Sequence, residues 1–233
     1  MDTDQTSYHV ATGRELTRRN VEAAISKATL PVKFVDCDLQ GVDLSRLDLT
    51  GFAFKRCNLI EADLRHATAM RTQWRGCRAR RAKVDGADMT DASFRSGDWN
   101  NASWTGAILA GAAYVGVKLT GGDFTNSKSI GTTFEDCPMQ SCDVRGLSFR
   151  RARMGRCDLS NANLCAVDLR EAAFDAGSSI VGARISDARF DGADLREVDI
   201  SGHGLQSLQT LRGARISIQQ AAEMVKSAGL KVG

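Results

Sequence analysis

This chain carries almost nothing with which to do chemistry. Its three histidines, His9, His66 and His203, lie far apart, and none has a nucleophile or ligand partner at motif spacing. No nucleophile elbow and no phosphate-binding glycine loop is present. Seven cysteines occur without a CxxC or Cys/His spacing, which removes the usual zinc and redox signatures, and their odd count argues against a disulfide framework. No catalytic, cofactor-binding or metal-binding residue is assigned, and no small-molecule substrate is expected. The leader that begins Met1-Asp2-Thr3-Asp4 has no apolar core, which predicts no secretory signal. The longest uncharged run, Trp99 to Val117, is interrupted by Asn100, Asn101, Ser103 and Thr105, so it does not read as a membrane span.

What the chain has is a period. Every fifth residue from Phe34 through Leu39, Leu44, Leu49 and onward to Phe174 is apolar, and of these 29 positions only Ser129 breaks the rule. One extra residue enters between Asp175 and Ser179, after which Ile180, Ile185, Phe190, Leu195 and Ile200 resume the count. Five matches neither the 3.6 of a helix nor the 2 of a simple strand, so the chain is a repeat architecture. Two residues before each centre sits a compact side chain, as at Cys57, Ala62, Ala67, Cys77 and Ala82. The residue between is usually polar, as in Ala62-Asp63-Leu64 and Ala162-Asn163-Leu164. Small and large apolar residues therefore point inward and the other three outward, with glycine recurring where the chain must turn.

These units resemble the pentapeptide-repeat family, whose signature is A-(D/N)-L-x-x, over roughly residues 32 to 205. The resemblance implies an all-β fold, a right-handed quadrilateral parallel β-helix in which four pentapeptides make one coil. The sequence supports four independently. Sampling every twentieth residue gives Phe34, Phe54, Trp74, Phe94, Tyr114, Phe134, Met154 and Phe174, a candidate structural core of large side chains on one face. Cys37, Cys57, Cys77, Cys137 and Cys157 fall on a second face, in the compact slot, with Cys142 in the same kind of slot elsewhere and only Cys165 outside one. Reduced, buried thiols and a cytoplasmic protein are expected.

The division expected is an N-terminal leader and capping helix over 1–31, the repeat β-helix over 32–205, and a C-terminal cap or dimerisation helix over 206–233. Thr12-x-x-Glu15 has capping-box spacing ahead of the stripe Val21, Ala24, Ile25 and Ala28. Ser217-x-x-Gln220 opens a second helix with the stripe Ile218, Ala221, Ala222 and Val225, Gly229 ends it, and Leu230-Lys231-Val232 could add a strand. In several family members the C-terminal segment pairs two solenoids, so the resemblance implies a homodimer through those four residues; a cap packed on its own coil is the alternative.

The resemblance further implies a protein-binding function. Members that mimic DNA bind type II topoisomerases and shield DNA gyrase, or topoisomerase IV, from inhibitors, a form of antibiotic resistance. Thirty-four centres at four per coil give a rod roughly 40 Å long at the usual strand spacing. Candidate partner-binding acids recur at equivalent outward slots: Asp43, Asp63, Asp123 and Asp143, and Asp48, Asp88 and Asp168. A DNA mimic needs continuous negative charge, yet residues 34 to 205 hold 22 Lys and Arg against 23 Asp and Glu, and the whole chain is +3. Arg65, Arg71, Arg75, Arg78, Arg80, Arg81 and Lys83 form a basic belt with no acid among them, and Arg150, Arg151, Arg153 and Arg156 form a second. The alternative function is accordingly a general interaction scaffold or effector that docks an acidic partner through its belts. Direct nucleic-acid binding is not expected.

Overall fold

The computed structural model describes residues 8–13 and 15–232. The acidic leader, and with it the expectation of no secretory signal, lies outside them. Nine parallel strands stack in chain order into one sheet: β1 His9–Thr12, β2 Val32–Val35, β3 Ala53–Lys55, β4 Gln73–Arg75, β5 Ser93–Arg95, β6 Ala113–Val115, β7 Thr133–Glu135, β8 Arg153–Gly155 and β9 Ala173–Phe174. From β2 to β8 the register advances by twenty residues, pairing Phe34 with Phe54, Phe54 with Trp74, and Trp74 with Phe94. Three further columns of single bridges, such as Asp38–Asn58–Arg78, Asp43–Asp63–Lys83 and Asp48–Thr68–Asp88, form the other faces. The result is a right-handed quadrilateral β-helix. Bridges that span the extra residue near Gly177 step by 21, as in Asp158–Ser179, and Ser179–Asp199 beyond it returns to 20, so the insertion is absorbed without loss of the ladder.

The corners explain the period. Leu47 N–H closes on Leu44 C=O at 3.3 Å and Ala62 N–H on Leu59 C=O at 3.0 Å, with Arg46 and Glu61 left-handed at φ 60° and 59°. These corners have the form of type II turns, with the positive φ at the third residue; the corners that follow the aromatic-face centres, such as Phe54 to Cys57, keep the left-handed residue (Arg56, φ 53°) without the closing bond. Glycine fills only part of these positions: 19 described non-glycine residues share the same conformation. The strain of roughly 1 kcal/mol each is offset where the left-handed N–H reaches the next coil, as Arg46 does to Arg65 C=O at 3.1 Å and Arg71 to Thr90 C=O at 2.8 Å.

The interior is a pair of aromatic ladders. Phe34, Phe54, Trp74, Phe94, Tyr114 and Phe134 stack with centroids 4.1 to 6.1 Å apart and planes within 20°. Trp104 and Phe124 stack on another face at 5.6 Å, and the rings of the two ladders meet edge to face. Such pairs add about 0.5–1.5 kcal/mol each beyond area burial. Ser129, the one polar centre, is buried, and its hydroxyl donates to Ser148 C=O and accepts from Ser148 N–H, both at 3.2 Å.

Both ends are covered, and at the N-terminal end the capping residues differ from those the spacing suggests. Thr12 is in β1, where pairing with Val35 removes it from any helix. The capping box is Thr17 with Asn20, opening α1 Arg18–Lys27. Val21 is buried, with Ala24, Ile25 and Ala28 against the core. Arg18 donates to the carbonyls of Asp43 and Ser45, occupying acceptors that the first coil would leave open. At the far end Ser217 and Gln220 do form the capping box of α2 Ile218–Ser227. Gln220 donates to Leu195 and Val198 C=O, which turns α2 so that Met224 is buried and Ile218 is 91% exposed. Residues 230–232 form no strand.

Candidate functional site

The polar residue of each unit has a structural task first. Asp38, Asp43, Asp48, Asp63, Asp88, Asp123, Asp143, Asp158 and Asp168 each accept a hydrogen bond from the backbone N–H two residues on, at 2.8 to 3.2 Å. These Asx turns rigidify the corner and explain why Asp or Asn stands between the two inward residues. Where arginine occupies the second following position, it also pairs with the carboxylate: Asp63 with Arg65 at 2.6 Å, Asp143 with Arg145 at 2.9 Å, Asp168 with Arg170 at 2.6 Å and Asp194 with Arg196 at 2.6 Å. The Arg170 and Arg196 guanidinium groups hold Asp168 and Asp194 down at about 2. The signal, Asp-x-Arg, is plain in the sequence once the turn is known.

The acidic ladders are shorter than their spacing suggests. Asp43 and Asp63 are neighbours, then Lys83 and Ser103 intervene before Asp123 and Asp143. Asp48, Asp88 and Asp168 are not neighbours, being separated by Thr68 and by Ile108, Lys128 and Ser148. Asp43 is engaged by Arg18 at 3.0 Å. No face presents a continuous acidic strip among the described residues.

The belts also change character. Consecutive basic residues wrap around the rod: Arg75 stands on the aromatic face, Arg78 and Arg80 on the cysteine face, and Arg71 and Arg81 at corners. Acids one coil away neutralise two of them, Asp98 with Arg80 at 2.7 Å and Glu61 with Arg81 at 3.5 Å. In the second cluster Arg150 and Arg151 share Glu171, Arg153 pairs with Asp175, and Arg156 pairs with Asp136. The cations that align are instead twenty apart, Lys55, Arg75 and Arg95, a column that reading along the chain misses and the coil period reveals.

The thiols occupy inward slots. Cys57 and Cys77 donate to the carbonyls of Phe34 and Phe54, one coil earlier, at 3.4 and 3.3 Å. Six are buried, Cys165 is half-buried and none of the seven is in a disulfide. Burial pushes the Cys142 thiol up to about 12. At the C-terminal end a cleft of about 660 Å³ lies between α2 and the last coil, lined in part by Asp199, His203, Gln220 and Glu223. His203 Nε2 is 2.9 Å from Ile180 C=O, a structural contact that fixes its ring. Ile218 projects beyond this end, while Ala221, Ala222 and Val225 are half-buried. Among the described residues no helix is long and apolar enough to cross a membrane, and no group of three or more His, Cys, Asp or Glu could hold a metal.

Residues 37–73, 57–95, 87–126 and 142–176 match the family described as pentapeptide repeats, in eight copies. No curated protein sequence matches the chain. Among solved structures it is similar to HetL, a pentapeptide repeat protein involved in heterocyst differentiation regulation from the cyanobacterium Nostoc sp., at 19% identity and a TM-score of 0.45 over 79% of this chain and 86% of that one. It is similar to full-length QnrB1, a plasmid-mediated fluoroquinolone resistance protein, at 16% identity and a TM-score of 0.43 over 96% and 98%. A pentapeptide repeat protein from the Arabidopsis thaliana thylakoid lumen aligns at 20% identity and a TM-score of 0.17 over 70% and 72%.

Proposed function

Because this chain belongs to the pentapeptide repeat family, we propose that it is a non-enzymatic, cytoplasmic rod that works by binding a protein partner along its outer surface. One observation carries the reading. From Phe34 to Ile200 the interior is closed by buried side chains, while the charged residues of the repeat stand on flat outer faces. Rigid, extended surfaces of this kind are what solenoids offer to partners. Thiols outside any disulfide fit a reducing compartment.

A second reading names the partner as a type II topoisomerase, DNA gyrase or topoisomerase IV, which the rod would engage by partial DNA mimicry and shield from an inhibitor. The rod's dimensions favour it: eight coils at about 4.8 Å give roughly 40 Å, and an end-to-end homodimer through exposed Ile218 and the neighbouring Ala221, Ala222 and Val225 would double that. The acidic pairs Asp43–Asp63 and Asp123–Asp143 would then face the enzyme's basic saddle. A supercoiling assay with and without a gyrase poison tests it. Mimicry requires that the wild-type rod restore supercoiling, that reversing the four aspartates abolish restoration, and that reversing Arg78, Arg80 and Arg81 leave it intact. No restoration by the wild-type rod, or loss only on reversing the arginines, refutes mimicry.

A further inference from the structure

Two units break the inside–outside code, and they break it on the same face. Between the two inward residues of a unit stands a polar residue, an alanine or a proline throughout the coil, except at Ile108. In Lys128-Ser129-Ile130 the polar residue is the buried centre, and the isoleucine beside it is 81% exposed. The bridge column Asp48, Thr68, Asp88, Ile108 and Lys128 sets these two units one rung apart. A second column, Thr50, Met70, Thr90, Ala110 and Ile130, runs beside it. Its register follows from the bonds of Gly51 N–H to Met70 C=O, Asp91 N–H to Ala110 C=O and Gly111 N–H to Ile130 C=O, at 2.8 to 2.9 Å. Charge on this face divides about the Ile108–Ala110 rung. Over the three rungs on its N-terminal side the two columns hold Asp48 and Asp88 and no base. Over the three on its C-terminal side they hold Lys128, Arg150 and Arg170 against Asp168, which Arg170 engages at 2.6 Å. Asp88 accepts from the Thr90 N–H and hydroxyl, and neither Asp88 nor Lys128 forms an ion pair among the described residues. At the bordering corner Arg71 and Asp91 cancel on one side, as Arg151 and Glu171 do on the other.

We propose that this face binds a second copy of the chain, side by side and antiparallel, about a two-fold axis that runs along the strand direction through the Ile108–Ala110 rung. Such an axis reverses the rod and keeps each column opposite itself, so a residue one rung above the axis meets the residue one rung below it in the other copy. Ile108 then meets Ile108, and Ala110 meets Ala110. One rung out, Asp88 of each copy meets Lys128 of the other, and Ile130 meets the Thr90 methyl. Two rungs out, Thr68 meets Ser148 and Met70 lies along the Arg150 stem. Three rungs out, Asp48 meets the Asp168–Arg170 pair. Moving the axis by half a rung would set Ile108 against Lys128 and Asp88 against Ser148, so charge selects the rung. An unrelated partner calls for no such order, whereas acids and bases reversed about an apolar centre are what an isologous contact requires. Gly111 and Gly131 at the bordering corner carry no side chain to hold the faces apart. Seven rungs of about 4.8 Å and a face roughly 15 Å wide give about 500 Å² per copy. That is below the usual value of about 800 Å² per partner, so a weak dimer with a Kd of about 10–100 μM is expected. The contact lies apart from Ile218 and goes beyond the protein-binding reading by naming the chain itself as a partner.

Sedimentation velocity of the full chain from about 5 to about 300 μM tests this, run on the wild type and on Ile218→Asp, which removes the end-to-end contact. Both should dimerise, more weakly as salt rises from about 50 to about 300 mM. Ile130→Glu, on a side chain that is 81% exposed, should weaken association about tenfold without unfolding the rod. Asp88→Lys alone and Lys128→Asp alone should each weaken it about tenfold. An equimolar mixture of those two variants should recover wild-type association, because every lysine then meets an aspartate at both reciprocal positions. Asp88→Lys also removes the turn bond to Thr90 N–H, so a thermal scan accompanies each variant. Asp88→Asn keeps an acceptor there and should weaken the dimer about threefold. Arg184→Glu, in a column on another face, should change association by less than about twofold. A monomer at every concentration, a dimer lost with Ile218→Asp, an Ile130→Glu variant that associates as the wild type does, or a mixture no tighter than its components overturns the proposal. Any of these leaves the protein-binding reading standing, since the gyrase assay tests that separately.

Discussion

Trp74 and Trp104 are both buried and both stacked, yet they should respond unequally to the same substitution. Trp74 is 1% exposed, lies 4.1 Å from Phe54 in a parallel stack and meets Trp99 edge-on. Its Nε1–H donates to Thr72 Oγ1 at 2.9 Å, and that hydroxyl donates in turn to Ala69 C=O at 2.7 Å. Trp104 stacks on Phe124 at 5.6 Å, but its buried Nε1–H has no partner among the described residues. Changing either indole to phenylalanine removes apolar area and leaves a small void, roughly 1–1.5 kcal/mol. For Trp74→Phe a buried hydrogen bond of about 1 kcal/mol is lost as well, giving about 2–3 kcal/mol of destabilisation. For Trp104→Phe the removal of an unsatisfied donor returns about 1–3 kcal/mol, so the variant should be near neutral. Urea denaturation followed by far-UV circular dichroism separates them, with a gap of about 2 kcal/mol expected. Trp74→Ala, which empties the slot, should lose about 3–5 kcal/mol. Equal losses for the two phenylalanine variants would mean that the indole hydrogen bond does not decide the energetics of the ladder.

Other tests follow from the corners and the thiols. An outward slot alone predicts that Asp63→Ala changes stability by at most about 0.5 kcal/mol; with its Asx-turn bond and its Arg65 contact it should lose about 1 kcal/mol, measured against Asp91→Ala. Asp168 and Asp194 have folded pKa values of about 2, below the usual carboxylate range. Their contribution is therefore complete above about pH 4 and lost as pH falls toward about 2, so urea midpoints of Arg170→Ala and wild type should converge in that window. In thiol labelling Cys165 should react first, and the six buried cysteines should stay silent until unfolding. Rapid modification of Cys77 would contradict its inward slot.

The period of five was legible because each unit must supply one large inward side chain whatever its neighbours do, and even Ser129 obeys the geometry by bonding Ser148 on both sides. The aromatic stack was legible for the same reason, once sampled at twenty. Charge was harder to read. Arg80 and Arg81 look unopposed along the chain, but Asp98 and Glu61 stand a coil away, and only the twenty-residue step brings them together. The N-terminal cap, five residues beyond Thr12, was hidden because Thr17-x-x-Asn20 lacks the Glu or Gln of the capping-box signature, and pairing of β1 with β2 is a long-range choice that local spacing does not encode. Ile218 belongs to the apolar stripe of α2, yet the two bonds from Gln220 rotate that helix and leave it outside.

The same step that hides partners also sets how such a chain can vary. Losing or gaining twenty residues would shorten or lengthen the rod by one rung and leave every downstream side chain on its original side. Losing five would swing everything downstream through a quarter turn, carrying Lys55, Arg75 and Arg95 around to another aspect relative to α1 while the core still closed. The single residue added near Gly177 does neither, because the corner swells and the bridges beyond it realign. Length and compass bearing are thus separate dials, each adjusted by insertions of a different size.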